Sequence, residues 1–437
     1  MFSPGHSLRQ KWHATIASAA PALFYVFMTY PIILLASGFL LIAFVIEYLG
    51  RRFRFPSVIA LIVAGFIGNP LITSSGYTLS GLDILVPVLG TVGLIFIVLE
   101  GAADIELRRE RLPLIVGASV AAVGGMLACI TAFSLLAVSL LQLAPFQAVL
   151  LAIPFAVISS AVAIPSSGFL PVHDREFVVY ESSISDIIGV LLFFSMARSD
   201  GSFFGALGSF VGGGILSLLI SIVCALGLVL LLMRINGYIR FIPLLAGLFG
   251  LYALGELMHL SSLIMVLLFG LALNNPQLVV RIPFFRHWVD DSYTTTLNEF
   301  KVLLVELTFA IRGFFFILLG FSTKIADLIS WEAWLAAMLM VCIIYASRYL
   351  ILKLGRHEQI RALTWFAPRG LITILLYITA KATLVLPSYI DGAVVIVVLT
   401  SSLLILVANR QIPQDAPPEK KIDQAGPEAK QLHHTPN

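Results

Sequence analysis

The stretch Glu181-Ser182-Ser183-Ile184-Ser185-Asp186 places two carboxylates and three hydroxyls at the start of an apolar run that extends over residues 187–196. Charged side chains at the centre of a bilayer cost about 2.5–3.5 kcal/mol on insertion scales, so carboxylates in such runs usually face a partner or a water-filled path. A helix would align four of these residues, spaced at i, i+3, i+4 and i+7, on one face: Ser182, Ser185, Asp186 and Gly189. This face predicts a site for a small cation, centred on Asp186. In the alternative interpretation, Glu181 begins the helix at the water interface and Asp186 is a structural hydrogen-bonding residue.

The composition is typical of a polytopic membrane protein surrounded by a lipid bilayer. Of the 437 residues, 59% are hydrophobic and only 12% are charged, whereas soluble domains have about 25% charged residues. The net charge is only +3, and Lys and Arg form no long tract. We therefore expect no nucleic-acid partner.

Cysteine and histidine usage argues against an enzyme. The three cysteines each lie inside an apolar run, which favours buried thiols over disulfides or metal ligands: Cys129, Cys224 and Cys342. The eight histidines lie in loops, in tails or at helix ends, so no His pair is spaced to hold a catalytic zinc within the membrane. We therefore predict no enzymatic activity and no cofactor.

Apolar runs long enough to cross a hydrocarbon core about 30 Å thick recur along the chain. They predict thirteen transmembrane helices, near 30–48, 56–73, 83–100, 113–142, 147–170, 180–198, 203–234, 240–258, 260–274, 302–322, 331–354, 360–382 and 387–408. This odd number puts the termini on opposite sides. Nineteen of the 27 Lys and Arg residues then fall on the side of the C-terminus and five on the other. The positive-inside rule predicts a cell-membrane protein with its N-terminus outside and its C-terminus in the cytoplasm.

The chain divides into three segments by composition. Residues 1–29 form a mixed N-terminal segment, and residues 30–410 form the transmembrane domain. Residues 411–437 contain five prolines, many charges and no aromatic residue. A segment of this composition buries too little apolar surface to fold, so we predict a disordered cytoplasmic tail.

Two of the predicted spans contain residues that interrupt a helix. The fifth has four serines, Pro165 and a glycine within Ile158-Ser159-Ser160-Ala161-Val162-Ala163-Ile164-Pro165-Ser166-Ser167-Gly168, and the twelfth has Ala367-Pro368-Arg369-Gly370. Non-helical backbone at membrane depth requires protein or a water-filled cavity to satisfy its polar groups. The two interruptions occupy corresponding positions in the two halves of the chain, which is typical of the binding site of a secondary transporter. Arg369 is expected to compensate the partial negative charge at the C-terminus of a half-helix.

Several motifs then resemble the monovalent cation/proton antiporter superfamily, and most closely its sodium/proton exchanger branch. The resemblance covers residues 32–408, and its order and spacing are more specific than any single motif. The central match is Glu181-Ser182-x-x-Ser185-Asp186, which is similar to E-S-x-x-N-D in that branch. The other matching segments are Pro56-Ser57-Val58-Ile59-Ala60-Leu61-Ile62-Val63-Ala64-Gly65, Gly93-Leu94-Ile95-Phe96-Ile97-Val98-Leu99-Glu100-Gly101, Phe314-Phe315-Phe316-Ile317-Leu318-Leu319-Gly320 and Pro368-Arg369-Gly370.

The resemblance implies an all-helical fold of two inverted repeats with crossing discontinuous helices, assembled as a homodimer. It implies exchange of a monovalent cation, first Na⁺ and then Li⁺, for H⁺ by alternating access. Asp186 would take either a proton or the cation, and Ser182 would be a cation ligand. Glu181 would pair with Arg348, which fits the need of an intramembrane arginine for a counter-ion.

Three positions depart from the pattern of the branch. Ser185 replaces the asparagine, and Ser159-Ser160-Ala161 replaces a T-D-P triplet, so that serines stand where an acid is expected. Arg312 stands where electrogenic relatives have a lysine, and it is expected to contribute cavity polarity. These departures leave open a K⁺/H⁺ antiporter, or a non-transporting membrane sensor or scaffold on the same fold.

Overall fold

A computed structural model describes the transmembrane part of the chain. It describes residues 33–50, 55–74, 82–105, 109–199, 201–208, 241–258, 262–275, 291–355 and 360–411, together with isolated positions at 30, at 52–53 and between 211 and 227. Over these residues the secondary structure is helical, without strands. The predicted N-terminal segment and nearly all of the predicted tail lie outside the described residues, so those two assignments stay predictions.

The described helices are numbered here in chain order. They are α1 (Ile33–Gly50), α2 (Ser57–Ser74), α3 (Leu82–Asp104), α4 (Leu112–Leu141), α5 (Pro145–Ala156), α6 (Ser160–Ser166), α7 (Val172–Ala197), α8 (Phe203–Gly208), α9 (Phe241–Leu257), α10 (Ser262–Asn274), α11 (Asp291–Ser322), α12 (Ile325–Ile329), α13 (Trp331–Leu354), α14 (Ile360–Thr364), α15 (Leu371–Lys381) and α16 (Tyr389–Gln411).

Most of the predicted spans correspond to apolar helices. Nine described segments are long and apolar enough to cross a membrane, and α9, α10 and α15 are shorter apolar helices. The predicted span 203–234 lies largely outside the described residues, so the count of thirteen stays a prediction.

Two predicted boundaries are wrong. The sixth predicted span corresponds to α7, which begins at Val172 rather than at residue 180. The tenth corresponds to α11, which begins at Asp291 rather than at residue 302. Both helices therefore continue beyond the apolar run, into the polar residues that precede it.

The described helices pack into two bundles. The first contains α1, α2, α3, α9, α10 and α11, and the second contains α4–α8 and α12–α16. Contacts are extensive within each bundle, whereas few residues of α3, α10, α2 and α11 touch α7, α15 and α16 of the other bundle. We call the boundary between the two bundles, as the described residues outline it, the seam. Large apolar side chains such as Leu34, Phe44 and Trp331 are exposed on the outside, as a lipid-facing surface requires.

Glycines bring α2 and α11 into backbone contact in the first bundle. A Cβ added to Gly65 would collide with the Ile317 carbonyl oxygen, and one added to Gly320 would collide with the Ile62 carbonyl oxygen. Small residues let membrane helices approach closely, and this replaces the hydrophobic effect that lipid cannot supply.

Gly320→Ala is expected to lower the stability of the protein in detergent by about 1–3 kcal/mol, because α2 and α11 must separate to admit the methyl group. Gly68→Ala is the matched control on α2, since nothing lies within 4 Å of its added Cβ. Thermal unfolding followed by tryptophan fluorescence measures both variants. Equal melting temperatures for the two variants would contradict the tight crossing.

Candidate functional site

The interruption in the fifth predicted span separates α5 from α6. Helix α5 ends at Ala156, residues 157–159 are not helical, and α6 begins at Ser160. The interruption therefore falls at the start of the predicted stretch 158–168, and Pro165 of that stretch lies inside the last turn of α6. The free amides of this segment find partners on α7. The backbone N–H of Ile158 donates to the Ser185 hydroxyl (3.0 Å) and that of Ser160 donates to the Asp186 carboxylate (3.0 Å).

The interruption in the twelfth predicted span separates α14 from α15, and it contacts the interruption between α5 and α6. Pro368, Arg369 and Gly370 lie in the non-helical segment, all of them buried. The backbone N–H of Ser159 donates to the carbonyl oxygen of Pro368 (2.9 Å). A Cβ on Gly370 would collide with the hydroxyl of Ser159, so only glycine permits this approach. The two interruptions therefore cross, joined directly by their backbones.

Asp186 lies beside this crossing, in the middle of α7. Its residue exposure is 3%, and its Oδ2 accepts the Ser160 amide hydrogen bond. The Ser160 hydroxyl also faces the carboxylate. Within the described part of the chain, Oδ1 of Asp186 and the buried hydroxyl of Ser159 have no hydrogen-bond partner. The site therefore offers one carboxylate oxygen and one hydroxyl that protein groups leave unoccupied.

The serines of α7 have different contacts. The Ser182 hydroxyl donates to Val178 O one turn earlier (2.7 Å), which leaves its lone pairs available as acceptors. The Ser185 hydroxyl accepts from Ile158 N, so it holds the interrupted segment in place. Gly189 completes this face: a Cβ there would collide with Val157, so the glycine lets α7 approach the interruption. The predicted face is thus the surface of α7 that packs on the interrupted span.

The Arg369 side chain satisfies one carbonyl oxygen at the end of α5 and one in its own non-helical segment. Its Nε donates to Phe155 O in the last turn of α5 (2.6 Å), and its Nη1 donates to Ala367 O (3.1 Å). Its backbone N–H donates to the Ser401 hydroxyl (3.0 Å). A positive charge at the negative end of the α5 dipole is stabilising, as the sequence analysis expected. Sequence reasoning missed Ser401, although the Ser401-Ser402 pair in an apolar run was a usable signal.

Glu181 and Arg348 form a buried bidentate ion pair between α7 and α13. Nη1 lies 2.7 Å from Oε1, and Nη2 lies 2.9 Å from Oε2. The Nε of Arg348 donates to Leu363 O on α14 (2.8 Å). Glu181 is 2% exposed and lies well inside α7, so the alternative that it begins the helix at the water interface is wrong.

Arg312 of α11 reaches across the seam. Its Nη1 donates to Ala161 O in the first turn of α6 (3.1 Å). It therefore supplies a positive charge close to the crossing, from the opposite bundle. Within the described residues, no group of three or more His, Cys, Asp or Glu side chains is arranged to hold a metal ion. A cation bound at Asp186 would be held by one carboxylate and by neutral oxygens.

The sequence of most of the chain matches a known family of membrane proteins. The family described as sodium/hydrogen exchanger, transmembrane, matches residues 40–409. The chain belongs to the sodium/hydrogen exchanger family. The resemblance that the motifs indicated is thereby confirmed, and the chain is a multi-pass membrane protein of a family of cation/proton exchangers, which are transporters rather than enzymes.

Solved structures show the same fold for this exchanger-family chain. A structure of the sodium proton antiporter MjNhaP1 from Methanocaldococcus jannaschii at pH 8 has a TM-score of 0.64 and 19% sequence identity, over 86% of this chain and 99% of the other. An electron-microscopy structure of the same antiporter has a TM-score of 0.64 and 18% sequence identity, over 89% of this chain and 100% of the other. At this identity the likeness establishes the fold, as the sequence analysis predicted. No curated protein is detectably similar in sequence.

Proposed function

We propose that the chain exchanges Na⁺ for H⁺ across the membrane by alternating access, with Asp186 as the shared site. One observation carries this proposal: the Asp186 carboxylate is buried beside two crossing interrupted helices, with Oδ1 unpartnered within the described residues. A bare carboxylate in such a place is poorly solvated. A proton or a small cation on Oδ1 relieves that cost, and the two compete because they need the same oxygen.

The neighbouring oxygens are suited to complete the coordination of a cation. The hydroxyls of Ser159 and Ser160 face the crossing, and Ser182 stands one turn before Asp186 on the same face of α7. Hard monovalent cations prefer such oxygen ligands, as Ca²⁺ and Mg²⁺ do. We infer that Ser185 acts through the backbone of Ile158 as a positioning residue.

The exchange cycle follows from the single carboxylate. Asp186 loaded with a proton or with a monovalent cation is neutral and can change its side of access, whereas the bare carboxylate is held back by its desolvation cost. One positive charge therefore moves in each direction, which makes the exchange electroneutral.

Two further assignments complete the proposal. The N-terminus lies outside the cell and the C-terminus lies in the cytoplasm, as the distribution of Lys and Arg indicates. The protein works as a homodimer, as its resemblance to the exchanger branch implied. Chemical cross-linking in the membrane and labelling of single cysteines from either side test these two points.

Purified protein in liposomes tests the function. Proton movement recorded after separate pulses of Na⁺, Li⁺ and K⁺ is expected to be largest for Na⁺, then Li⁺. Because the proton competes for Asp186, the half-saturating cation concentration should rise as pH falls, approaching about tenfold per pH unit when the site is mostly protonated. A response to K⁺ above that to Na⁺ would indicate a K⁺/H⁺ antiporter. Folded protein without flux for any ion would indicate a sensor or scaffold.

A further inference from the structure

An ion pair joins the two bundles at one end of the seam. Arg198, directly after α7, places its Nη2 at 2.6 Å from Oε2 of Glu256 in the last turn of α9. The hydroxyl of Ser262, the first residue of α10, donates to the other carboxylate oxygen at 2.5 Å. The Arg198 guanidinium also lies 5.7 Å from the centre of the Phe194 ring. We call Arg198, Glu256 and Ser262 the seam cluster.

The other ion pairs among the described residues join helices within the second bundle. Arg111–Glu176 joins the start of α4 to α7, Glu181–Arg348 joins α7 to α13, and Lys381–Asp391 joins α15 to α16. Among the ion pairs that can be described, the seam cluster therefore has a distinct position. Among the described residues, it connects the two bundles, whose mutual contacts are fewer than those within each bundle.

The opposite end of the seam is open. A cavity of about 300 Å³ lies there between Glu47 and Ser57 of the first bundle and Pro165, Phe169 and Ile405 of the second. Residues 165–169 immediately precede α7, whereas Arg198 follows it. At a rise of 1.5 Å per residue, Asp186 is roughly 20 Å from either end of this helix. The site therefore lies between an open end and an end closed by the seam cluster.

The exposure of the pair suits a contact that forms and breaks repeatedly. The Arg198 and Glu256 side chains are 29% and 40% exposed, so hydration by water offsets much of the ion-pair energy that is lost when they separate. The Arg348 and Glu181 side chains, which are 5% and 3% exposed, have no such compensation, so this pair must remain intact. Of these two pairs, only the one on the seam can open in each cycle without a large cost.

We propose that the seam cluster is a latch that keeps the far side of the seam closed, so that Asp186 communicates with the cavity side. Opening the site to the other side requires Arg198 to leave Glu256. This inference rests on the alternating access of the proposed function. It adds the contact that sets the balance between access to Asp186 from the cavity side and access from the side of the seam cluster. Under the proposed orientation the latch lies on the outer side of the membrane.

Reactivity of a cysteine beneath the latch tests the proposal without relying on transport. Leu191 lines a small cavity with Arg198, Glu256 and Ser262, so Leu191→Cys is the reporter. The background carries Cys224→Ser and Cys342→Ser and retains Cys129, which is 1% exposed. The purified full chain in detergent is labelled with a charged maleimide. Arg198→Gln and Glu256→Gln are each expected to raise the labelling rate by about threefold or more, the range that a partly exposed ion pair can supply.

Three comparisons make the outcome decisive. Glu176→Gln breaks a pair of similar exposure inside the second bundle, and it should leave the rate unchanged. The reversed pair, Arg198→Glu with Glu256→Arg, should return the rate to within about twofold of the parent. Should a single variant fail to fold, Ser262→Ala removes one hydrogen bond to Glu256 and should give a smaller increase. Labelling rates in the latch variants equal to those of the parent and of Glu176→Gln would overturn the proposal, even if proton exchange at Asp186 had been demonstrated.

Discussion

Asp186→Asn is expected to reduce cation-dependent proton flux to the level of protein-free liposomes while the protein stays folded. The amide has the shape of the carboxylate and its oxygen can still accept the Ser160 hydrogen bond, so the contact with the interrupted span survives. It cannot exchange a proton near neutral pH or neutralise a bound cation. Because the variant also removes a buried charge, its melting temperature should equal or exceed that of the parent.

The measurement combines flux in liposomes with thermal unfolding in detergent. Glu176→Gln on the same helix is the matched control: its side chain is 30% exposed and forms a surface pair with Arg111, so it should keep the parental flux. Undiminished flux in Asp186→Asn would show that another group exchanges the proton. A large loss of stability in that variant would support the alternative that Asp186 is a structural hydrogen-bonding residue.

Removal of one member of the Glu181–Arg348 pair is expected to destabilise the protein by about 3–5 kcal/mol, because the remaining charge would be buried without a partner. Arg348→Gln also loses the hydrogen bond to Leu363 O that ties α13 to α14. Arg348→Lys should recover little of this stability, since an ammonium group cannot form the bidentate contact. Most of the expressed protein should aggregate in either variant.

Thermal unfolding of Glu181→Gln, Arg348→Gln and the double variant tests this expectation. The double variant leaves no unpaired charge, so it should be more stable than the sum of the two single effects predicts. Lys381→Gln is the control for a largely exposed pair, with an expected loss below about 1 kcal/mol. Single variants that melt with the parent would show that water reaches the pair and that it contributes little.

Much of the membrane architecture was predictable from local properties of the sequence. Apolar runs, Pro368-Arg369-Gly370 and the serine-rich fifth span indicated the spans and their two interruptions, because lipid leaves few ways to satisfy a backbone. The pairing of Glu181 with Arg348 was implied by the resemblance to the exchanger branch and fits the need of an intramembrane arginine for a counter-ion. The structure places the two in contact. The helix breaks at residues 157–159, at the start of the predicted stretch 158–168, whereas Pro165 lies inside α6.

The amino-acid sequence was enough to predict that the chain spans a membrane, which two spans are interrupted and which carboxylates lie at membrane depth. These properties follow from hydropathy, backbone chemistry and the cost of buried charge, which act within a few residues. Three contacts were visible only in the folded chain: Ser185 holds the Ile158 amide, Arg369 reaches Phe155 O, and Arg198 meets Glu256 across the seam. Each of these contacts joins segments far apart in the chain, and their partners depend on how the helices cross, which no local pattern encodes.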